Sequence, residues 1–580
     1  MPFRGSGGVE ISHLVLAAIF ALGLLLRLWG IDFGLPFLSN FYIRPDETLI
    51  IVPAITFFET AGDPGFFVYP ALMCTVCAIL SQAGFFLAKL FHMTAAQSLM
   101  HHFAQDPSTY FLIARIVSAL AGAATVFWVY GLTARLSSSK AGLLGALLLA
   151  SAPLAVRDAH FGVTDSVMVF FLTGAIYFLF QYLEAPSRKE RKWILISGAW
   201  IGLAVATKYS AMVIFPAALA VPLLKHRWRL PGTAIRHCLI LVFLACLVFL
   251  VCNPYTIIKA KRILADLCNV FHALYKPHQG SEVWSFSAAF SRVITPLVYG
   301  PGEAPGLILA AVGIWGGGEH KNNAVKIFLL AAVLASFLLV FFMASRLAFR
   351  YVLPILPLIA VFAAKGATVL WTERNGALMR YVGIFLLLVI ITPCLIRSVS
   401  IADQLTKEDT RTLAGSWIAD HVPPQAPVVF LGTPECEPQI DEDKASLTRR
   451  IAYVCGLYGP RSGAVVSELY RLLLNNPSKD LRNHYTIFRN PKWETVPGET
   501  LCLVIPYYPL SMVSIKPALE REFTGKVLEE VHFDSLPADN QPLVLDQTDA
   551  FFLPMNRLNQ VLRPGPGLVI RIVHRETPRP

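Results

Sequence analysis

Stretches of about twenty apolar residues recur along the first 400 positions, and that length crosses the hydrocarbon core of a bilayer. They fall at 11–30, 69–91, 109–131, 141–157, 161–183, 193–208, 210–224, 237–253, 303–317, 324–343, 352–371 and 379–397. Of the 580 residues, 55% are hydrophobic and only 15% charged. A soluble domain carries about 25% charged residues. The chain therefore reads as a polytopic α-helical membrane protein with roughly 11–13 transmembrane helices.

The first block is expected to stay as an anchor rather than be cleaved as a secretory signal. Its flank offers Arg4 against Glu10, and it runs out in Arg27-Leu28-Trp29 instead of a small-residue cleavage site. The net charge of +11 suggests nucleic acid at first sight. In a membrane protein, however, lysines and arginines collect on cytoplasmic loops and near headgroups, and no nucleic-acid motif is present. Most of the ten cysteines lie inside apolar segments, where Cys74 and Cys77 read as packing residues at i, i+3. In the polar tail, Cys436 and Cys455 are the expected pair if a disulfide forms.

Composition changes near residue 400. Residues 401–580 alternate short apolar runs, such as 426–432 and 501–506, with Gly- and Pro-bounded turns, the pattern of buried strands. A helical pattern over 409–421 stops before Pro423-Pro424. We expect a transmembrane domain over 1–400 and a soluble α/β domain over 401–580.

The basic run Ser187–Lys192 places its loop in the cytoplasm and puts the 157–165 loop on the other side, one span away. With the N-terminus inside, the first loop, 31–68, also lies outside. Three apolar stretches then separate the two loops. Either one of 69–91, 109–131 and 141–157 fails to cross, or the loops face opposite sides.

Ionisable residues at the ends of apolar spans mark four constellations. The first loop holds Arg44-Pro45-Asp46-Glu47 and, further on, Tyr69-Pro70-Ala71-Leu72; its several proline turns indicate a shaped loop. The second is Arg157 to Asp165, which includes His160 and Thr164. The third is Thr207-Lys208-Tyr209. The fourth contains Arg346 and Arg350, four apart and so on one helical face. Guanidinium groups there suit bidentate phosphate contacts. Each group alone also fits interfacial snorkelling or helix capping. Walker, Rossmann and HExxH motifs are absent, which removes the basis for nucleotide-driven transport or metalloprotease chemistry.

The series Arg27, Gly34-Leu35-Pro36, Arg44-Pro45-Asp46-Glu47, Tyr69-Pro70, Arg157, Thr164-Asp165, Thr207-Lys208-Tyr209, Arg350-Tyr351 and Pro354 resembles prokaryotic members of glycosyltransferase family 39. These are relatives of the protein O-mannosyltransferases and of the lipid A aminoarabinose transferase, within the GT-C superfamily. The resemblance covers about residues 11–400, and Asp409 to Ile418 resembles the start of the soluble tail in these proteins. It implies a polyprenyl-phosphate-linked sugar as donor, a lipid, glycan or protein acceptor, and the inner (plasma) membrane as location. The active site and tail would then be extracytoplasmic, with both acidic loops outside. The aminoarabinose enzyme has a lysine next to its first-loop Pro-Pro-Leu; here Tyr69-Pro70-Ala71-Leu72 stands instead, so that contact does not carry over.

On this reading Asp46 is the general base of an inverting transfer, and Glu47 and Asp165 orient the acceptor or stabilise oxocarbenium-like charge. Lys208 and Arg350, with Arg346, neutralise the phosphate leaving group. Arg44, Tyr69, Arg157, His160 and Tyr209 complete the expected substrate-binding set. No cofactor is required by any spacing, although the carboxylates suit a divalent metal. The alternatives are a transporter or flippase of a lipid-linked sugar, whose charges would mark a path, and a membrane-anchored scaffold whose tail binds partners.

Overall fold

The computed structural model describes residues 6–36, 44–226, 231–275, 290, 303–315, 321–343, 349–371, 376–424, 426–432, 436–474, 485–492, 495–507, 525–534, 564 and 566–574. Arg346 lies outside them. The apolar blocks become helices because a backbone in lipid must close its own hydrogen bonds. In chain order they are α1 Ser6–Leu28, α2 Pro45–Ile55, α3 Leu72–Leu90, α4 Leu99–Gln105, α5 Ser108–Leu136, α6 Ser139–Ala150 and α7 Pro153–Ala159. There follow α8 Thr164–Glu184, α9 Ser187–Thr207, a 3-10 turn Tyr209–Ile214 leading into α10 Phe215–Lys225, α11 Pro231–Cys252, α12 Tyr255–Ile258 and α13 Ala260–Tyr275. After these come α14 Glu303–Trp315, α15 Lys321–Met343, a 3-10 turn Phe349–Ile355 leading into α16 Leu356–Leu370, and α17 Gly376–Leu405.

Among the described residues seven helices are long and apolar enough to cross a membrane, or eight when the bent α6–α7 pair counts as one. The protein is a multi-pass membrane protein. Three shorter apolar helices, Tyr209–Lys225, Gly306–Trp315 and Val325–Val340, add to these candidates. One buried apolar core runs through the bundle, with α8 packed on α5 and α9, α9 on α11, and α14 on α16. The α9–α11 approach depends on Gly202, where a Cβ would stand 2.6 Å from the Ala245 carbonyl oxygen.

The parity of the early segments resolves at α3. Its N-terminal end is held by Asn253, which follows α11 and accepts from the Ala71 N–H. Near its C-terminal end, Phe85 packs on His102 of α4, and that histidine bonds the Tyr110 hydroxyl at the start of α5. Both ends therefore sit on one side, and α3 does not cross. The 141–157 stretch breaks by 57° between α6 and α7 at Ser151-Ala152, before Pro153. The two acidic loops consequently meet on one face.

The tail holds α18 Thr410–His421, capped by the Asp409 carboxylate, which accepts from Arg411 N–H at 2.8 Å. The long α19 Lys444–Leu474 is kinked at Gly459-Pro460. Five strands, β1 Pro427–Phe430, β2 Thr486–Arg489, β3 Thr500–Tyr507, β4 Lys526–Phe533 and β5 Gly567–His574, form a mixed sheet of order β2-β1-β3-β5-β4. β1 runs parallel to β2 and β3, while β5 is antiparallel to β3 and β4. The second half of α19 leaves the sheet: Val466, Leu469 and Tyr470 join the core of the membrane bundle, and Ser462 Oγ donates to the Asp63 carbonyl at 3.4 Å. The expected Cys436–Cys455 disulfide does not form. The ten cysteines are all thiols outside any disulfide, and Cys455 Sγ contacts Ser467 Oγ instead.

Candidate active site

Pro45 fixes the backbone that builds the site. A residue before proline is pushed to extended geometry, and Arg44 sits at φ −131°, ψ 98° as the cap of α2. Pro45 then occupies the first helical turn, where its missing N–H is harmless, and Asp46 and Glu47 follow where negative charge suits the helix N-terminus. Successive helical residues turn by about 100°, so the two carboxylates diverge.

Glu47 points into the bundle. Its side chain is 1% exposed and both oxygens are engaged: Arg115 Nε donates to Oε1 and Nη2 to Oε2, each at 2.9 Å. The Gly162 N–H donates to Oε1 at 2.7 Å. Arg115 is itself fixed by the carbonyls of Ile31 and Phe33 at 3.0 and 2.8 Å, with its guanidinium 3.9 Å from the Phe33 ring centroid. This locked unit ties the first loop, α5 and the 160–163 loop together. Gly162 is required for it, because a Cβ there would stand 2.8 Å from Ala114 Cβ. Gly162→Ala is expected to push the N–H off Glu47 and lower thermal stability by about 1–3 kcal/mol, the cost of overpacking a tight site. Melting of the detergent-purified variant checks this.

Asp46 faces the other way. It is 22% exposed and meets Arg350 Nη1 at 2.5 Å, with Arg44 Nη2 at 3.9 Å from the same oxygen. Arg350 opens the 3-10 turn before α16, which brings it from 304 positions away. Arg44 is buried, its guanidinium 4.4 Å from the Phe161 ring centroid. The antiparallel α8–α9 hairpin supplies the third element. Asp165 lies in the first turn of α8 beside Lys208 at the end of α9, and Lys208 Nζ donates to Oδ1 at 2.6 Å. Tyr69 closes the group, with Lys208 Nζ 5.9 Å from its ring centroid. Burial first, and then the negative charges of Asp46 and Asp165 against those of Arg350 and Arg44, hold the Tyr69 phenol well above its ordinary value. It is a neutral O–H donor at physiological pH.

The structure thus gathers Arg44, Asp46, Tyr69, Asp165, Lys208 and Arg350. It does not gather the others. Arg157 is fully buried and paired with Asp158 through Nε and Nη2 at 3.1 and 2.9 Å. His160 sets both ring nitrogens against backbone carbonyls, Val156 at 2.8 Å and Trp29 at 3.0 Å. Burial pushes His160 down to about 4 while the two carbonyls favour the proton, and these backbone contacts give the ring a structural place. Tyr209 packs near Phe249 and lines a neighbouring cavity of about 420 Å³, whose other walls include Phe57, Phe58, Phe67, Leu72 and Val251. Sequence reasoning missed Arg115, although an arginine inside an apolar span is the signal that flags it. It also missed the anchors of the first loop, Asp63 with Lys259 and Asn253 with Ala71. Asp46 and Asp165 each already hold a cation. The group with metal-ligand spacing found among the described residues lies elsewhere, at Glu190, His226 and His237.

Fold and site define a multi-pass membrane protein with three cations, one partly exposed carboxylate and one buried carboxylate gathered at one face of its bundle. Residues 97–253, which include Arg115, Asp165 and Lys208, carry a segment that matches the family described as dolichyl-phosphate-mannose-protein mannosyltransferase. Among solved structures, the chain is similar to ArnT from Cupriavidus metallidurans bound to undecaprenyl phosphate, at 13% identity and TM-score 0.46 over 98% of each chain. It is similar to the Archaeoglobus fulgidus oligosaccharyltransferase at 12% identity and TM-score 0.46, over 75% of this chain and 65% of that one. For the S. cerevisiae Pmt1-Pmt2 complex bound to the sugar donor the values are 19% and 0.32, over 42% and 33%. The chain therefore spans just under two thirds of the oligosaccharyltransferase's length. No curated protein matches it in sequence.

Proposed function

We propose that this protein is an integral-membrane glycosyltransferase that moves a sugar from a polyprenyl-phosphate donor to an acceptor hydroxyl, with inversion, on the extracytoplasmic face of the inner membrane. The observation that carries the reading is the division between the two acids of α2. Asp46 is open and ringed by cations, while Glu47 is sealed into the bundle. Asp46 takes the proton of the acceptor hydroxyl as that oxygen attacks the anomeric carbon. The bond from that carbon to the phosphate oxygen breaks, and the lipid phosphate leaves with the electron pair.

A carboxylate clamped by arginine is a weak base. The donor phosphate relieves this by competing for Arg350, so donor binding frees Asp46 at the moment it is needed. Lys208, Arg44 and Arg350 give the pocket one positive charge more than Asp46 and Asp165 cancel, which suits an anionic leaving group. Tyr69 donates from its neutral phenol, and Asp165 orients the acceptor. The cavity beside Tyr209 and Ala71 offers apolar walls for the polyprenyl chain.

The purified protein is expected to release free lipid phosphate from a labelled polyprenyl-phosphate sugar in step with sugar transfer. Lys208→Met should raise the donor KM about 10- to 150-fold, matching the loss of one charge-assisted contact of about 1.5–3 kcal/mol. Intact donor recovered on the opposite side of a vesicle, with no lipid phosphate formed, would instead establish a flippase.

A further inference from the structure

At the end of the bundle away from this site, side chains of four helices meet in a second polar cluster. Glu190 in the first turn of α9, His226 just past α10 and His237 near the start of α11 converge, with Tyr182 of α8 beside them. Asp165 and Tyr182 are 17 residues apart on α8, about 25 Å at 1.5 Å per residue. The cluster is thus separated from the candidate active site by most of the helix length.

His237 Nδ1 makes a hydrogen bond of 2.9 Å with the Tyr182 hydroxyl, but the histidines meet the carboxylate at longer range. His226 Nε2 and His237 Nδ1 both approach one oxygen, Glu190 Oε2, at 3.5 and 3.9 Å. Both separations exceed those of a good N–H···O bond. The three ligand atoms nevertheless lie within 4.8 Å of one another. A tetrahedral Zn²⁺ with bonds of about 2.0–2.1 Å holds its ligand atoms about 3.3–3.5 Å apart. Small side-chain rotations would close the difference. The Tyr182 hydroxyl, 2.9 Å from His237 Nδ1 and 3.5 Å from His226 Nε2, stands where a fourth ligand or a water belongs.

Lys225 and Arg236 are the cations that would oppose a metal here, and the placement of Lys225 limits its share of that opposition. Its ammonium takes the other carboxylate oxygen, Glu190 Oε1, at 3.0 Å, and also donates to the carbonyls of Tyr182 and Ala185 at 2.6 and 2.8 Å. It therefore leaves Oε2 facing the histidines and acts as an outer partner that orients the carboxylate. Glu190 and His237 are buried, and His226 is only 11% exposed.

We propose that Glu190, His226 and His237 form a Zn²⁺ site that clamps α9, α10 and α11 at the end of the bundle opposite the carboxylate pocket. A two-His, one-carboxylate donor set is a recognised zinc set. Here it joins three helices, and α9 carries Lys208 at its far end. The role is structural, independent of the reaction proposed above.

The test uses the full-length protein in detergent, purified through a tag without histidine, stripped with chelator and titrated with Zn²⁺ or Co²⁺ alone. One Zn²⁺ per chain is expected, with the intense visible bands of four-coordinate Co²⁺ and a Zn²⁺-dependent rise in melting temperature. Losing an outer partner costs about 10–100-fold in metal affinity, so losing a ligand in His226→Ala or His237→Ala should cost about 100-fold or more. Equal binding by wild type and both variants would locate the metal elsewhere, on cysteines for example, and overturn the assignment. If the variants do not fold, the wild type alone decides: no retained Zn²⁺ and no melting shift at micromolar metal reject the site.

Discussion

Asp46→Asn is expected to lower the rate of sugar transfer about 100- to 10,000-fold, the range general-base removal typically costs. The amide keeps the shape of the side chain and can still accept from Arg350, but it cannot take a proton from the acceptor. Because the Asp46–Arg350 pair is partly open to solvent, its loss should cost little stability, on the order of 1 kcal/mol or less. The variant should therefore elute and melt like the parent while losing transfer. Initial rates of lipid-phosphate release, measured beside a size-exclusion profile, separate the two effects. Parental turnover in a well-folded Asp46→Asn protein would remove Asp46 from the mechanism.

Arg115→Met should do the reverse and act on stability first. It leaves the Glu47 carboxylate sealed among apolar groups with no cation, a situation that costs about 3–5 kcal/mol when one partner of a buried pair is removed. The damage spreads, because Arg115 also satisfies the Ile31 and Phe33 carbonyls and so holds the start of the first loop. Glu47→Gln should be milder, since the amide oxygen still accepts from Gly162. Removing both charges together, as Glu47→Gln with Arg115→Met, should recover part of the loss. Thermal melts of the four proteins form a double-mutant cycle. Additive losses would show that the two groups do not act as a unit.

The membrane core was legible in the sequence because apolar block length maps directly onto the bilayer; the twelve stretches all appear as helical segments. The failure of α3 to cross was not legible. Its composition passes as a span, and only contacts at its two ends, with Asn253 and with α4, show that it stays on one side. The acidic loops were visible as chemistry, and Asp165 and Lys208 follow from helix ends that a tight hairpin must bring together. The separate fates of Asp46 and Glu47 were hidden, since adjacency in sequence says nothing about direction until a helix turns them apart. Arg115 was overlooked for a related reason: one charge in an apolar stretch looks like noise until its partner, 68 positions earlier, is known. The tail's mixed sheet order was beyond local pattern, because strand pairing there joins segments far apart in the chain.

The kinked helix α19 gives the tail an unexpected standing in the inheritance of this chain. Val466, Leu469 and Tyr470 pack into the same apolar core as the membrane helices, and Ser462 touches Asp63 of the very loop that leads from α2 to Tyr69. A tail grafted from a distant relative would have to bring a matching loop with it, or leave Val466, Leu469 and Tyr470 without their seat. The two halves are thus expected to diverge in concert, and the tail to be exchanged between lineages far less freely than a module joined by a linker.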